Sequence, residues 1–347
     1  MGVRVEGRMS ELRLDATTRE WVIIATERAK RPRDLISRAQ SVMPDAHVAD
    51  CPFCPGNEAE TSGETASYPD PATGLWRVRV IENKFPAVRP DGAAERFQDH
   101  PLALSVKGVG LHEVVVESAL HNRLLALMND DEVYDVVHAY RERLRDMYTR
   151  DYVRQVIIFK NHGISAGTSL EHPHSQIVAA PVVPRHRRHQ YDVAMQHYDE
   201  RGRNLYVEMV EFEIERGLRV VHDSGSFVEM HPYASRRPFE TWVVPKSPKA
   251  SFGDVPDDEL RLFGIAMRDA LFRLYAGLNN PDFNHVLYTS ASGDENEPIF
   301  TWHLRIYPRL TAVAGFEIGS GIHINTSVPE DTADFMRGVS LEGRQSK

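Results

Sequence analysis

The run FKNHGISAGTSLEHPHSQIVAAP, residues 159–181, is the stretch on which the fold turns. Its end, SQIVA at 175–179, reads as a strand introduced by His172-Pro173-His174, and QVIIFK at 155–160 reads as the strand before it. Alternate side chains of a strand share a face, so His172, His174 and Gln176 are expected to project together, which this spacing does not achieve on a helix. The intervening Gly163, Gly167, Thr168 and Ser169 supply backbone N–H groups and hydroxyls able to surround a phosphate chain. Two imidazoles and an amide then line one site beside that loop.

Working outward, EVVVE at 113–117 reads as a strand and residues 130–151 as a long amphipathic helix, so the order is strand, helix, strand, loop, strand with histidines. The same order recurs later. TWVVP at 241–245 is a strand, 256–276 a helix opened by Asp257-Asp258-Glu259, HVLYT at 285–289 a strand, and HLRIY at 303–307 a strand holding a histidine. Val114 stands before His172 at nearly the interval that separates Val243 from His303, which predicts two copies of one α+β unit, the second having lost most of its chemistry. The expected fold class is α+β, with tandem domains at 1–190 and 191–347, each an antiparallel sheet with packed helices. Residues 185–205, charged and helix-compatible, connect the copies.

Towards the start, EWVIIA at 20–25 and LWRVRVIE at 75–82 read as strands separated by a long Pro/Gly/Ser-containing loop at 31–71, which holds Cys51 and Cys54. These are the two cysteines of the chain, and a secreted disulfide framework needs more, so Cys-Pro-Phe-Cys reads as half a metal site or a redox pair. The motif does not open a helix after a strand, which disfavours the redox role. At 347 residues the chain is long enough for two cores, and a formal charge of −9 argues against a general affinity for nucleic acid. No apolar run approaches the ~18 residues of a membrane span. The expectation is a soluble cytoplasmic protein with a small partner.

HPHSQ, with the preceding Asn161, Gly163 and Ser169, resembles the active-site signature of the galactose-1-phosphate uridylyltransferases and of relatives such as ADP-glucose phosphorylase. The resemblance runs from LRLDATTREWVIIATERAKRPRD at 12–34 to AGFEIGSGIHINTSVPED at 314–331. It implies two histidine-triad-like domains, the first catalytic and the second contributing sugar and phosphate contacts. It further implies that His174 attacks the α-phosphorus of a nucleotide sugar, with Gln176 and Ser169 assisting, and that a phosphorylated acceptor resolves the nucleotidyl-histidine. The leading implied reaction moves UMP from UDP-glucose to galactose 1-phosphate; a phosphorylase of ADP-glucose or another nucleotide sugar is the near alternative, and a non-catalytic nucleotide-binding protein the distant one.

The same resemblance supplies His121 and His172 as partners of Cys51 and Cys54 in one structural zinc site, with His112 a weaker third ligand, and no organic cofactor. A second family metal site is expected to be absent, since Arg305 and Gln190 stand where ligands would be, although His189, His285 and His303 lie in the region. Arg28 and Arg31, with Lys30, match phosphate-contacting positions; Asn83, Lys84 and Phe85 match the nucleoside segment, and Phe53 flanks the base. Asn161, Gly163, Gly167 and Thr168 belong to the substrate loop, Phe316 and Glu317 match hexose contacts, and His323 replaces a glutamine. Family members are usually homodimers, and a homodimer is expected here.

Overall fold

The computed structural model describes residues 9–26, 32–36 and 43–342. Strands β1 (Glu11–Leu14), β2 (Trp21–Ile24), β3 (Glu64–Pro69), β4 (Trp76–Glu82), β5 (Arg96–His100), β6 (Ala103–Val106) and β7 (Leu111–Val116) precede helix α1 (Asp130–Tyr148). Next come β8 (Gln155–His162), β9 (His174–Ala180), α2 (Arg185–Arg201) and α3 (Leu205–Arg216). The remainder is β10 (Val220–Asp223), β11 (Phe227–Met230), β12 (Thr241–Pro245), α4 (Asp257–Leu278), β13 (Phe283–Tyr288), β14 (His303–Pro308), α5 (Gly315–Ser320), β15 (His323–Asn325) and α6 (Pro329–Arg337).

Ten strands form one sheet in the order β10-β11-β12-β14-β13-β8-β9-β7-β4-β3, and all its pairings are antiparallel. Read from either edge, the two halves repeat one order. β3, β4, β7, β9 and β8 correspond to β10, β11, β12, β14 and β13, and the halves join where β8 pairs with β13, Asn161 opposite Asn284. The class is α+β, as the strand and helix patterns predict.

The helices explain why one face of the sheet is open for a site. Asn129 caps α1, its side-chain oxygen accepting from the backbone of Asp131 and Glu132 while Glu132 returns a bond to Asn129, so the helix start is fixed locally. The apolar stripe of α1, Val133, Val136, Tyr140 and Leu144, and that of α4, Leu260, Phe263, Met267 and Leu274, bury in one core with Ile158, Ile177, Val243 and Leu304 of the sheet. Both helices therefore cover the same face. On the opposite face α2 and α3 pack over Val228, Met230, Trp242 and Val244 of the second half, and leave His174 and Gln176 of the first half uncovered by helix.

Three expectations change. The long segment at 31–71 contains β3, whose exposed ETASYP offers too few apolar side chains to announce a strand. The division at 190 falls inside α2, because the connection between halves is a helix that packs on the second half. The repeat is also shifted: Gln176 pairs with Val114 and Phe159 as Arg305 pairs with Trp242 and Val286, so His303 is the counterpart of His174, not of His172.

Candidate active site

His174 opens β9 with its ring largely buried, and its Nδ1 lies 2.8 Å from the carbonyl oxygen of His172. A carbonyl oxygen can only accept, so Nδ1 carries the ring proton and Nε2 keeps a free lone pair. Burial first, and the charge of Lys160 second, hold the imidazole below its ordinary basicity and favour the neutral ring. The edge of Phe53 packs on it with centroids 5.4 Å apart, so Phe53 shapes the nucleophile's surroundings directly. The ring borders a cleft whose walls include Lys160, Asn161, Gly163, Thr168 and Asp282.

Beneath β9 sits a polar cluster that sequence reasoning did not find. Lys160 donates to the buried carboxylate of Glu117 at 2.7 Å and to the carbonyl of His174 at 3.0 Å, while the hydroxyls of Tyr140 and Ser175 also donate to Glu117. Burial alone would raise the Glu117 carboxyl, but Lys160 and these hydrogen bonds outweigh it and hold the group ionised. The cluster thus anchors the backbone carrying the nucleophile. Glu117→Gln leaves Lys160 without its counter-charge, and the expected loss is about 3–5 kcal/mol in chemical denaturation. A loss below about 1 kcal/mol would contradict the anchoring role.

The glycine loop is shaped by both halves of the sheet. Gly163 has φ +84°, and a Cβ there would lie 1.8 Å from Oδ1 of Asp282, whose other oxygen accepts from the backbone N–H of Ser165 at 2.7 Å. Asn284 donates to Asn161 Oδ1 at 2.8 Å and to the carbonyl of Ala166 at 2.9 Å. Gly167 is left-handed at φ +92° and Thr168 donates to the carbonyl of Leu170. Ser169 is exposed.

Gln176 follows His174 on the same face, and its side-chain oxygen meets Nε2 of His112 at 2.9 Å. Because the backbone N–H of Ala87 donates to Nδ1 of His112, Nε2 is the donor, which leaves the Gln176 NH2 group for another acceptor. His112 is therefore a support for Gln176 and not a metal ligand. The amide nitrogen of Asn83 lies 3.0 Å from the same Nε2, a contact between two donors and not a hydrogen bond, at the start of the segment where Phe85 is 84% exposed and Lys84 is exposed. Phe316 and Glu317 do not reach the His174 cleft: Phe316 is half exposed and Glu317 caps α5 through the backbone of Ala314. His323 lines a neighbouring cleft that shares Asn161. Arg28, Lys30 and Arg31 lie outside the described residues.

His172 precedes β9, so its ring leaves the face of His174 and turns toward the cysteines. Its Nε2 donates to the carbonyl of Ser118 at 2.8 Å, which frees Nδ1. Nδ1 is 3.7 Å from Cys51 Sγ and 3.6 Å from Cys54 Sγ, and His121 Nδ1 is 3.5 Å from Cys54 Sγ. All four ligand atoms lie within 4.8 Å of one another. Tetrahedral zinc with ordinary bond lengths places its sulfur and nitrogen ligands about 3.6 Å apart, so these residues fit such an ion with no position left open. Burial pushes the Cys51 thiol up, and a bound dication is what would hold it as thiolate. The ligands tie the loop at 43–57 to the residue whose carbonyl orients His174.

The counterpart site in the second half is filled. His303 Nδ1 meets the carbonyl of Thr301 at 2.8 Å, repeating the His174 geometry, but Arg305 donates to its Nε2 at 2.9 Å. Trp242 and Tyr288 stack on the His303 ring, and the Arg305 guanidinium lies over the same two rings. His189 meets the carbonyl of Thr18 at 2.7 Å, and His285 is buried under the sheet.

The family described as galactose-1-phosphate uridyl transferase, N-terminal domain, matches residues 4–184, and one described as a domain of unknown function matches 115–346. The chain is 35% identical to an ADP-glucose phosphorylase of Arabidopsis thaliana, over 98% of this chain and 96% of that one. It is 26% identical to a galactose-1-phosphate uridylyltransferase of Thermotoga maritima, over 96% and 100%. The solved structure of an Arabidopsis thaliana ADP-glucose phosphorylase with bound ADP-glucose superposes with a TM-score of 0.81 at 32% identity, covering 96% of this chain and 100% of that one. Sequence, fold and the histidine-bearing strand agree: the chain belongs to the galactose-1-phosphate uridylyltransferase family of the histidine-triad superfamily.

Proposed function

We propose that this protein transfers a nucleotidyl group from a nucleotide sugar through a covalent intermediate on His174. The observation that carries the reading is the Nδ1 bond to the His172 carbonyl, which presents an unprotonated Nε2 at a cleft bounded by the glycine loop. Nε2 forms a bond to the α-phosphorus as the bond to the sugar 1-phosphate breaks; an acceptor phosphate oxygen then displaces nitrogen and restores the imidazole. Gln176 can donate to a phosphoryl oxygen but carries no proton for a leaving group, so the intermediate waits for its acceptor. Zinc at Cys51, Cys54, His121 and His172 is the metal that suits this ligand set, in a structural role.

For donor and acceptor, the relative at 35% identity is named an ADP-glucose phosphorylase, whereas the uridylyltransferase matches at 26%. That difference supports an ADP-glucose-type donor with inorganic phosphate as acceptor. UMP transfer from UDP-glucose to galactose 1-phosphate is the second reading, supported by full-length likeness to the uridylyltransferase. Turnover of ADP-glucose with phosphate, set against UDP-glucose with galactose 1-phosphate, separates them; the phosphorylase reading fails if the uridylyl pair is turned over faster.

The loop is predicted to be intolerant of a single methyl group. Gly163→Ala combines a left-handed backbone with a Cβ driven into Asp282, so the loop must shift away from His174. We expect turnover to fall about a hundredfold with secondary structure retained by circular dichroism.

A further inference from the structure

The His174 cleft carries a carboxylate that an anionic ligand does not explain. Asp282 stands on the cleft wall and pairs with no Lys or Arg among the described residues. A negative charge there repels a phosphate chain, so its place has to be accounted for by something else it holds. Its Oδ2 accepts from the backbone N–H of Ser165 at 2.7 Å, and its Oδ1 lies over Gly163 where a Cβ would stand. The other backbone N–H bonds of this loop are local, Ala166 and Thr168 donating to the carbonyl of Gly163 and Gly167 to that of Ile164. Two bonds leave the loop backbone for the second half: the Ser165 N–H goes to Asp282, and the Ala166 carbonyl accepts from Asn284.

Asp282 is delivered by a strained turn. Asn279 closes α4 at φ +59° and Asn280 follows at φ +50°, two successive left-handed residues that are not glycine. The N–H of Asn280 donates to the carbonyl of Tyr275 at 2.9 Å, and the carbonyl of Asp282 accepts from the N–H of Arg309 at 2.8 Å, so both ends of the turn are pinned. Asn280 Oδ1 accepts from Nε2 of His162 at 3.0 Å, at the end of β8 where the loop begins. Burial first, then Lys160, lower the His162 imidazole to about 4, which keeps it neutral with one proton for that bond. We propose that the turn at 279–282 is a latch by which the second half holds the glycine loop of the first half in its working shape, with Asp282 as the positioning residue. The inference rests on the nucleotidyl-transfer reading, in which the loop's amides face the group that His174 receives. It gives the second half, whose own histidine is capped by Arg305, a part in the reaction.

The test compares the parent protein with Asp282→Asn, which keeps an oxygen for the Ser165 N–H and removes the charge, and Asp282→Ala, which removes both. Amide hydrogen exchange over residues 163–168, measured without ligand, is expected to be about tenfold or more faster in the alanine variant and near the parent rate in the asparagine variant. Formation of nucleotidyl-His174 from ADP-glucose or UDP-glucose should slow about tenfold in the alanine variant and be restored by asparagine, with all three proteins melting within about 4 °C of one another. The asparagine variant should bind the nucleotide sugar at least as tightly as the parent, since a like charge is gone. Parent-like exchange in the alanine variant, or an asparagine variant as impaired as alanine, would overturn the assignment. Tighter nucleotide-sugar binding by the alanine variant than by asparagine would also overturn it, because the side chain would then be a blocker and not a latch. The exchange readout needs no turnover, so the two readings can fail separately. A parent that forms no nucleotidyl-His174 while Asp282→Ala still frees the loop would sink the transfer reading and support the latch; a parent that forms it while the alanine variant keeps its loop protected would sink the latch alone.

Discussion

His174→Asn is expected to abolish exchange of label between glucose 1-phosphate and its nucleotide sugar, a loss of about four orders of magnitude or more. Asparagine fits the space and can hydrogen-bond, but its amide nitrogen has no basic lone pair with which to attack phosphorus. Two neighbouring imidazoles are already committed. His172 is turned to the cysteines with Nε2 committed to Ser118, and His112 is committed to Gln176 and Ala87. Because asparagine keeps a polar group of similar size at the cleft, nucleotide-sugar affinity should stay within about tenfold of the parent. Exchange near the parent rate would remove the covalent mechanism on His174, whereas nucleotide binding with no exchange in the parent would favour a nucleotide-binding protein.

The second large effect follows from the four-ligand cluster. Cys54→Ser removes the thiolate nearest both imidazoles, and a neutral hydroxyl is a poor replacement for it. If the cluster holds an ion, its loss would release the loop at 43–57 from His172 and leave buried thiol and imidazole groups without their common ligand. A fall in melting temperature of about 10 °C or more is expected, with metal content by mass spectrometry reduced to background. Activity should fall with stability, because the carbonyl of His172 orients His174. A variant that melts and turns over like the parent would show that the cluster holds no structural metal. The same experiment with a strong chelator on the parent distinguishes the ion from the cysteine itself.

Much of this architecture was legible because strong local signals carried it. The strand at 155–160, the helix beginning at 130 and the strand at 241–245 are apolar at the right period and bounded by caps or turns, and the structure forms them within a few residues. The nucleophile strand was legible for the same reason. What escaped was decided by distant partners: Lys160 reads as the polar end of a strand until Glu117 is placed beneath it, and Asp282 and Asn284 belong to the loop only through the β8–β13 joint. His172 misled because a proline separates it from the strand, so alternation no longer fixes its direction. The shift of the repeat has the same origin. Two residues separate the histidine that matters from the one nearest in interval, and only the pairing of β9 and β14 with their neighbours reveals it.

Mixing the protein with a nucleotide sugar in the absence of any acceptor, then mapping its peptides, puts the account to its most direct trial. The expected result is a nucleoside monophosphate increment on the peptide containing His174, labile to acid and discharged on adding phosphate or sugar phosphate. Turnover that proceeds with no increment on His174, or with one on another residue, would contradict it.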